Sequence, residues 1–197
     1  MSIERIGVVG AGTMGHGIGQ IAAQAGYDTL LCEINTELLV SALDTIRANL
    51  AKSVKLGKMV DEEREAVLSR ISTTIDLGEI STTAQLVIEA VPENLELKRD
   101  IFKAIESECQ QGVTLATNTS SLSVGSIAAG LKDEGSLIGM HFFNPVHVMD
   151  LVEVIRHGSA REETVDLAVS VATRMGKTPI VVNDTPGFAT SRLGVLL

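Results

Sequence analysis

The sequence predicts a doubly wound α/β fold on a mostly parallel sheet, and three observations carry that expectation. Short apolar runs alternate along the chain with longer amphipathic ones, the pattern of successive βαβ units. Aromatic residues make up 3% of the chain and Trp is absent, so Val, Ile, Leu, Ala and Met must fill the core, which suits strands buried between helix layers. The N-terminus passes from one apolar strand straight into a glycine-rich turn. The 197 residues, 45% of them apolar, suffice for one large core or two small ones.

Residues 4–9 read as a buried strand. Met14, Ile18, Ile21, Ala22 and Ala25 recur at helical spacing over 13–25, and Gly26 stops that helix. Residues 28–32 form a second strand, after which Asn35 or Thr36 caps a long helix running to about Lys55. Asp61, Glu62 and Glu63 place acids on the positive end of the next helix. Residues 71–75 and 85–91 are strands, and Pro92 opens a helix whose apolar face is Leu97, Ile101, Phe102 and Ile105. Further strands are expected at 113–117, 136–140 and 151–155. Ser159 and Glu162 form a capping box for a helix ending near Gly176, and 178–183 is the last strand. Right-handed crossovers place helices on both faces of the sheet. A new helix is expected from Thr185-Pro186, running uncapped to Leu197.

Composition excludes several classes of function. Lys plus Arg number 16 against 25 Asp plus Glu, a net charge of −9, whereas a general nucleic-acid binder is expected to be basic. No apolar run approaches the roughly 20 residues of a membrane span, and the N-terminal apolar stretch is too short for a signal peptide. Two cysteines, Cys32 and Cys109, make no disulfide framework, so a cytoplasmic location is expected. No metal site is expected.

The first chemistry lies in the turn. Gly10-Ala11-Gly12-Thr13-Met14-Gly15 fits G-x-G-x-x-G, follows a strand and opens a helix, the context this motif needs. Gly10 permits the tight turn, Gly12 lets a pyrophosphate approach the backbone, and Gly15 lets the helix pack on the strand. Free N–H groups and the helix dipole then bind phosphate. Glu33, at the end of the second strand, is placed to accept hydrogen bonds from ribose hydroxyls. It would repel a 2′-phosphate, and no Arg follows it, which favours NAD over NADP. The domain is therefore expected to be Rossmann-like, with FAD as the competing cofactor.

A second constellation lies at strand ends, where ligands bind in such folds. An alcohol dehydrogenase needs a base for the hydroxyl proton, and a His oriented by a carboxylate is suited to that role. His141 with Glu153 fits it. Ser120 offers a hydroxyl for the substrate oxygen, and Asn144 a contact to nicotinamide or carbonyl. From the residues alone, a structural His, a solvated Glu and an ordinary serine turn remain equally open.

At these residues the chain resembles the NAD-binding domain of the 3-hydroxyacyl-CoA dehydrogenase family. The matching segments are IGVVGAGTMGHGIGQ, VIEAVPENLELKRDIF, ATNTSSLSV, GMHFFNPVHVMDLVEVI and NDTPGFATSRL, and the resemblance spans essentially the whole chain. The resemblance implies reversible NAD-dependent oxidation of (S)-3-hydroxyacyl-CoA, with short-chain 3-hydroxybutyryl-CoA as the expected substrate. It makes His141 the base, Glu153 its partner and Ser120 a substrate contact. Cofactor contacts map onto the 10–15 turn, Glu33, Glu93, Lys98, Ser120 and Asn144, with Lys98 reaching back over the cofactor from its helix. The family often has Asp at position 33, and Glu preserves the carboxylate. Ser191 stands where many members carry Asn, which leaves its role open. Related gulonate dehydrogenases share HFFNP-like motifs and remain an alternative, as does a module that binds NAD without turnover.

Coenzyme A is polyanionic, so an acidic protein needs a local basic patch to hold it. Lys52, Lys55 and Lys58 recur along one helix face and are candidates for the CoA phosphates, with an exposed solubilising face as the equal alternative. Family members continue into an all-helical dimerisation domain. The expected division is therefore a dinucleotide-binding domain over 1–184 and the first helix of a truncated helical domain over 185–197. Full-length members dimerise, and dimerisation of this chain is left open.

Overall fold

A computed structural model describes residues 3–110 and 112–189. The chain forms β1 (Arg5–Val9), α1 (Gly15–Gln24), β2 (Asp28–Cys32), α2 (Thr36–Lys55), α3 (Asp61–Ser69), β3 (Ile71–Thr74), α4 (Leu77–Thr83) and β4 (Leu86–Glu89). There follow α5 (Leu95–Glu108), β5 (Thr114–Thr117), α6 (Val124–Ala128), β6 (Leu137–Phe142), β7 (Leu151–Arg156), α7 (Glu162–Arg174) and β8 (Thr178–Asn183). One eight-stranded sheet runs β3-β2-β1-β4-β5-β6-β7-β8, parallel throughout except that β6 and β7 are antiparallel. Strand order reverses between β1 and β4, the crevice where doubly wound sheets bind nucleotides.

Alternate residues of each strand serve two cores. Ile6, Val8, Leu86 and Ile88 face Ile18 and Ile21 of α1 and Val165 and Ala168 of α7. Val9 and Val87 face the other way, onto Ile80 of α4, Phe102 and Ile105 of α5 and Ile127 of α6. Burial on both sides explains why β4 and β6 read as mostly apolar, without the alternation of a half-exposed strand.

The structure corrects several sequence expectations. Pro92 does not open α5: Asn94 caps it, accepting from Leu97 N at 3.0 Å. The Ser159–Glu162 capping box does not form. Ser159 Oγ donates instead to Glu134 Oε2, and α7 starts without a side-chain cap. The short helices α4 and α6 were not expected; each starts at a side-chain cap, Asp76 and Ser123. The strand expected at 136–140 extends to Phe142, which places His141 on β6 itself. Beyond β8, residues 186–189 form a turn, and the rest of the helix expected from Thr185, with Ser191, lies outside the described residues. Among the described residues no helix is long and apolar enough to cross a membrane.

Candidate active site

The glycine turn lies over the switch point and is fastened to β2, since Gly10 N–H donates to Cys32 O at 2.8 Å. Gly10 adopts φ +98, open chiefly to glycine. A Cβ on Gly15 would lie 1.7 Å from Gly10 O, whereas one on Gly12 would meet nothing within 4 Å. Gly15 is thus required by the fold. Nothing in the fold requires Gly12, and the open space there lies over a helix N-terminus, where a pyrophosphate would fit. Gly12→Ala should leave unfolding free energy within about 0.5 kcal/mol of wild type yet weaken NAD binding at least about tenfold by calorimetry. Gly15→Ala should cost roughly 1–3 kcal/mol or more of stability. Equal stability losses in both variants would refute this assignment.

Glu33 flanks the same turn. Its Oε2 accepts from Ala11 N at 3.1 Å and its Oε1 from Ile34 N at 2.9 Å, which holds the carboxylate beside the phosphate loop.

A cleft of about 350 Å3 opens at the carboxyl ends of β4, β5 and β6. It gathers Met14 from the turn with Glu93, Ser120, His141 and Asn144, five positions the sequence had marked. A cavity of about 400 Å3 between Ile3, Gln85, Val113 and Thr164 lies at the opposite ends of the strands, away from the phosphate turn.

The antiparallel β6–β7 ladder sets His141 directly opposite Glu153. Nδ1–H of His141 donates to Glu153 Oε2 at 2.8 Å, and Glu153 is fully buried. With Nδ1 so engaged, Nε2 is the nitrogen left to exchange a proton. The Phe143 ring packs against the imidazole at 4.5 Å between centroids. Phe142 N–H donates to Asn118 Oδ1 at 2.9 Å, which ties the end of β5 to β6. Asn144 follows on the cleft wall and precedes Pro145 through a cis peptide.

Ser120 is exposed at the cleft, on a loop pinned from below. Glu93 Oε1 accepts from Thr119 Oγ1 at 2.5 Å, Ser120 N at 3.0 Å, Ser121 N at 3.1 Å and Ser121 Oγ at 3.1 Å. Burial pushes the Glu93 carboxyl up, but Thr119, Lys98 and Ser121 more than offset it and hold it below the usual carboxylate range.

Lys98 is buried beneath the cleft. It is not solvated: its side chain is 1% exposed. Nζ meets Glu89 Oε1 at 2.6 Å, Val91 O at 3.3 Å and Glu93 Oε2 at 3.5 Å, which occupies its three donors. Glu89 was missed. Fully buried, it also accepts from Val91 N at 2.7 Å and Thr117 Oγ1 at 2.7 Å. Burial holds its carboxyl above the usual range, only partly offset by Lys98, Thr117 and Val91. A glutamate inside the apolar strand run LVIE is a buried charge in need of a cation, and Lys98 is that cation.

Lys52 and Lys55 sit exposed in the last turn of α2. Burial, His16, Lys177 and Lys52 together hold the His147 imidazole below its usual value.

Residues 5–185 match the family model described as 3-hydroxyacyl-CoA dehydrogenase, NAD binding domain. The chain belongs to the 3-hydroxyacyl-CoA dehydrogenase family. It is 42% identical over 193 residues to a probable 3-hydroxybutyryl-CoA dehydrogenase of Bacillus subtilis, covering 98% of this chain and 67% of that one. It is 38% identical to the 3-hydroxyadipyl-CoA dehydrogenase of Escherichia coli, covering 98% of this chain and 40% of the relative. The crystal structure of 3-hydroxybutyryl-CoA dehydrogenase from Escherichia coli superposes with a TM-score of 0.96 at 38% identity, over 98% of this chain and 41% of that one. The chain thus spans about two thirds of the Bacillus relative and less of the other two. Membership of this family makes NAD the cofactor, in agreement with the open Gly12 and the carboxylate of Glu33.

Proposed function

We propose that this dehydrogenase-family domain oxidises (S)-3-hydroxyacyl-CoA to 3-oxoacyl-CoA with NAD, reversibly, and that short acyl chains such as 3-hydroxybutyryl are its substrates. The single observation that carries the reading is the His141–Glu153 pair on the wall of a cleft that also holds Ser120 and the end of the phosphate turn. NAD, when bound, supplies the acceptor for the hydrogen and electron pair leaving C3 of the substrate. His141 Nε2 takes the hydroxyl proton, and Glu153 stabilises the imidazolium that results. Ser120 Oγ orients the substrate oxygen. Asn144 and the Glu93-pinned loop hold the reacting groups in register. Lys52 and Lys55, exposed in the last turn of α2, would bind the CoA phosphates.

The test is NADH oxidation on addition of acetoacetyl-CoA, with a longer 3-oxoacyl-CoA as comparison. Turnover with acetoacetyl-CoA supports the reading, and faster turnover of the longer substrate overturns the chain-length part of it. Reduction of NAD by gulonate with no reaction of acetoacetyl-CoA would replace it, and NAD binding without turnover of any substrate would reduce the chain to a binding module. Glu33 sets the cofactor arm of the same proposal. Hydrogen bonds to a charged group contribute roughly 1.5–3 kcal/mol, so Glu33→Gln should weaken NAD binding about ten- to a hundredfold. Wild type should bind NADP far more weakly than NAD by calorimetry; equal affinities would refute the role of Glu33.

A further inference from the structure

The turn that follows β8 carries a conformation unlike any other in the described chain. Gly187 has φ 77 and Phe188 has φ 45, and Phe188 is the one residue other than glycine with positive φ among the described residues. A bulky side chain there costs on the order of 1–3 kcal/mol, and such strain persists only where the surroundings enforce it.

Three contacts enforce it. Asp184 Oδ2 accepts from Ser123 Oγ and Gly125 N, each at 2.8 Å, which fastens the head of the turn to the start of α6. Phe188 N–H closes the turn onto Thr185 O at 2.8 Å. The Phe188 side chain, 2% exposed, is sunk in the core on the α4–α6 face of the sheet.

What the strain delivers lies on the next residue. Ala189 N–H donates to Glu153 Oε1 at 3.0 Å, while Oε2 of the same carboxylate receives His141 Nδ1–H at 2.8 Å. The Phe188 ring also flanks the imidazole, with centroids 6.0 Å apart. A carboxylate gripped at both oxygens cannot swing about its last bond, so Oε2 stays on Nδ1. If Phe188 relaxed to an ordinary conformation, the chain direction would change and the Ala189 N–H would turn away from Glu153.

We propose that Phe188 and Ala189 are positioning residues for the His141–Glu153 pair: the buried Phe188 ring anchors a left-handed turn, and the Ala189 N–H locks the Glu153 carboxylate so that His141 keeps its Nδ1-protonated form. Its kinetic consequence rests on the proposed role of His141 as base, whereas the geometry is tested without it.

The experiment follows the ring nitrogens of His141 by NMR in labelled protein, beside kcat and KM with acetoacetyl-CoA and NADH. Ala189→Pro removes the N–H and drives residue 188 toward extended backbone. It should replace the single Nδ1-protonated signature with a mixture of tautomers and lower kcat about ten- to a hundredfold, with KM for NADH within about twofold. Ala189→Ser keeps the N–H and should keep the wild-type imidazole signals. Folded Ala189→Pro with unchanged imidazole signals and kcat would overturn the proposal. Should Ala189→Pro not fold, Phe188→Ala decides: it keeps the N–H but loses the anchor, and the same change of signals is expected, whereas wild-type signals overturn the anchoring role. In a chain without turnover the imidazole signals still give the answer, and that failure belongs to the proposed reaction alone.

Discussion

His141→Ala should lower kcat for acetoacetyl-CoA reduction by about 10²–10⁴-fold, the range general acid–base catalysis contributes, while NAD affinity stays within about twofold. The two readouts separate because the imidazole belongs to the β6–β7 ladder and the phosphate turn to the β1–α1 junction. Truncation also leaves the buried Glu153 without its imidazole partner, at a stability cost of roughly 1–3 kcal/mol, although Ala189 N–H still holds Oε1. His141→Ala/Glu153→Gln should therefore regain stability but no turnover. Equal losses of NAD binding and turnover would make His141 a structural residue of the cleft. Full activity in His141→Ala would remove the base assignment altogether.

What could be read from the sequence and what could not divides along the range of the interactions. The backbone of the glycine turn was legible because its demands are local: Gly10 sets a backbone angle and Gly15 packs against Gly10, whereas the bond from Ala11 N–H to Glu33 was not foreseen. The alternation of β1, α1 and β2 was legible for the same reason. The pairing of His141 with Glu153 was also available, because residues 143–150 are too few for a parallel crossover, which takes a dozen or more. Two strands joined so closely must be antiparallel, and the observed register brings positions 141 and 153 face to face.

The failures are cases where a competing residue or a local cap decided the outcome. Ser159 has the spacing of a helix cap, yet Glu134, 25 residues away, takes its hydroxyl. Pro92 has the chemistry of a first helical residue, but Asn94 supplies a real side-chain cap and the helix waits for it. The α4 and α6 segments are short and rich in Ser, Thr and Gly, so they hold their shape through caps and packing rather than periodicity. The burial of Lys98 was not legible either. Helical spacing marks which face it occupies, but not that the face closes over it and its charge is spent on Glu89.

Lys98→Met should therefore be the most destabilising single change in the network, at roughly 3–5 kcal/mol near neutral pH, because it strands a fully buried carboxylate. The loss has a pH signature whose sign follows from Glu89. Burial holds that carboxyl above its ordinary value in the folded protein. Between the ordinary value and the raised one, the native state binds more protons than the unfolded chain, so stability falls as pH rises through that window. Without Lys98 the folded value must climb further, and the window widens upward. The deficit of Lys98→Met relative to wild type should thus be greatest at neutral pH and shrink in mild acid, as Glu89 takes a proton instead of a cation. Glu89→Gln/Lys98→Met removes the stranded charge, so it should recover much of the stability and lose the pH dependence. Urea unfolding of the three proteins across that range decides the matter. A deficit that does not vary with pH would mean that Lys98 contributes packing alone. Even then, Lys98→Met leaves Glu93 without its cation, and the loop carrying Ser120 should loosen. Its kcat should fall in the double variant too, because restored stability does not restore the Glu93 contact.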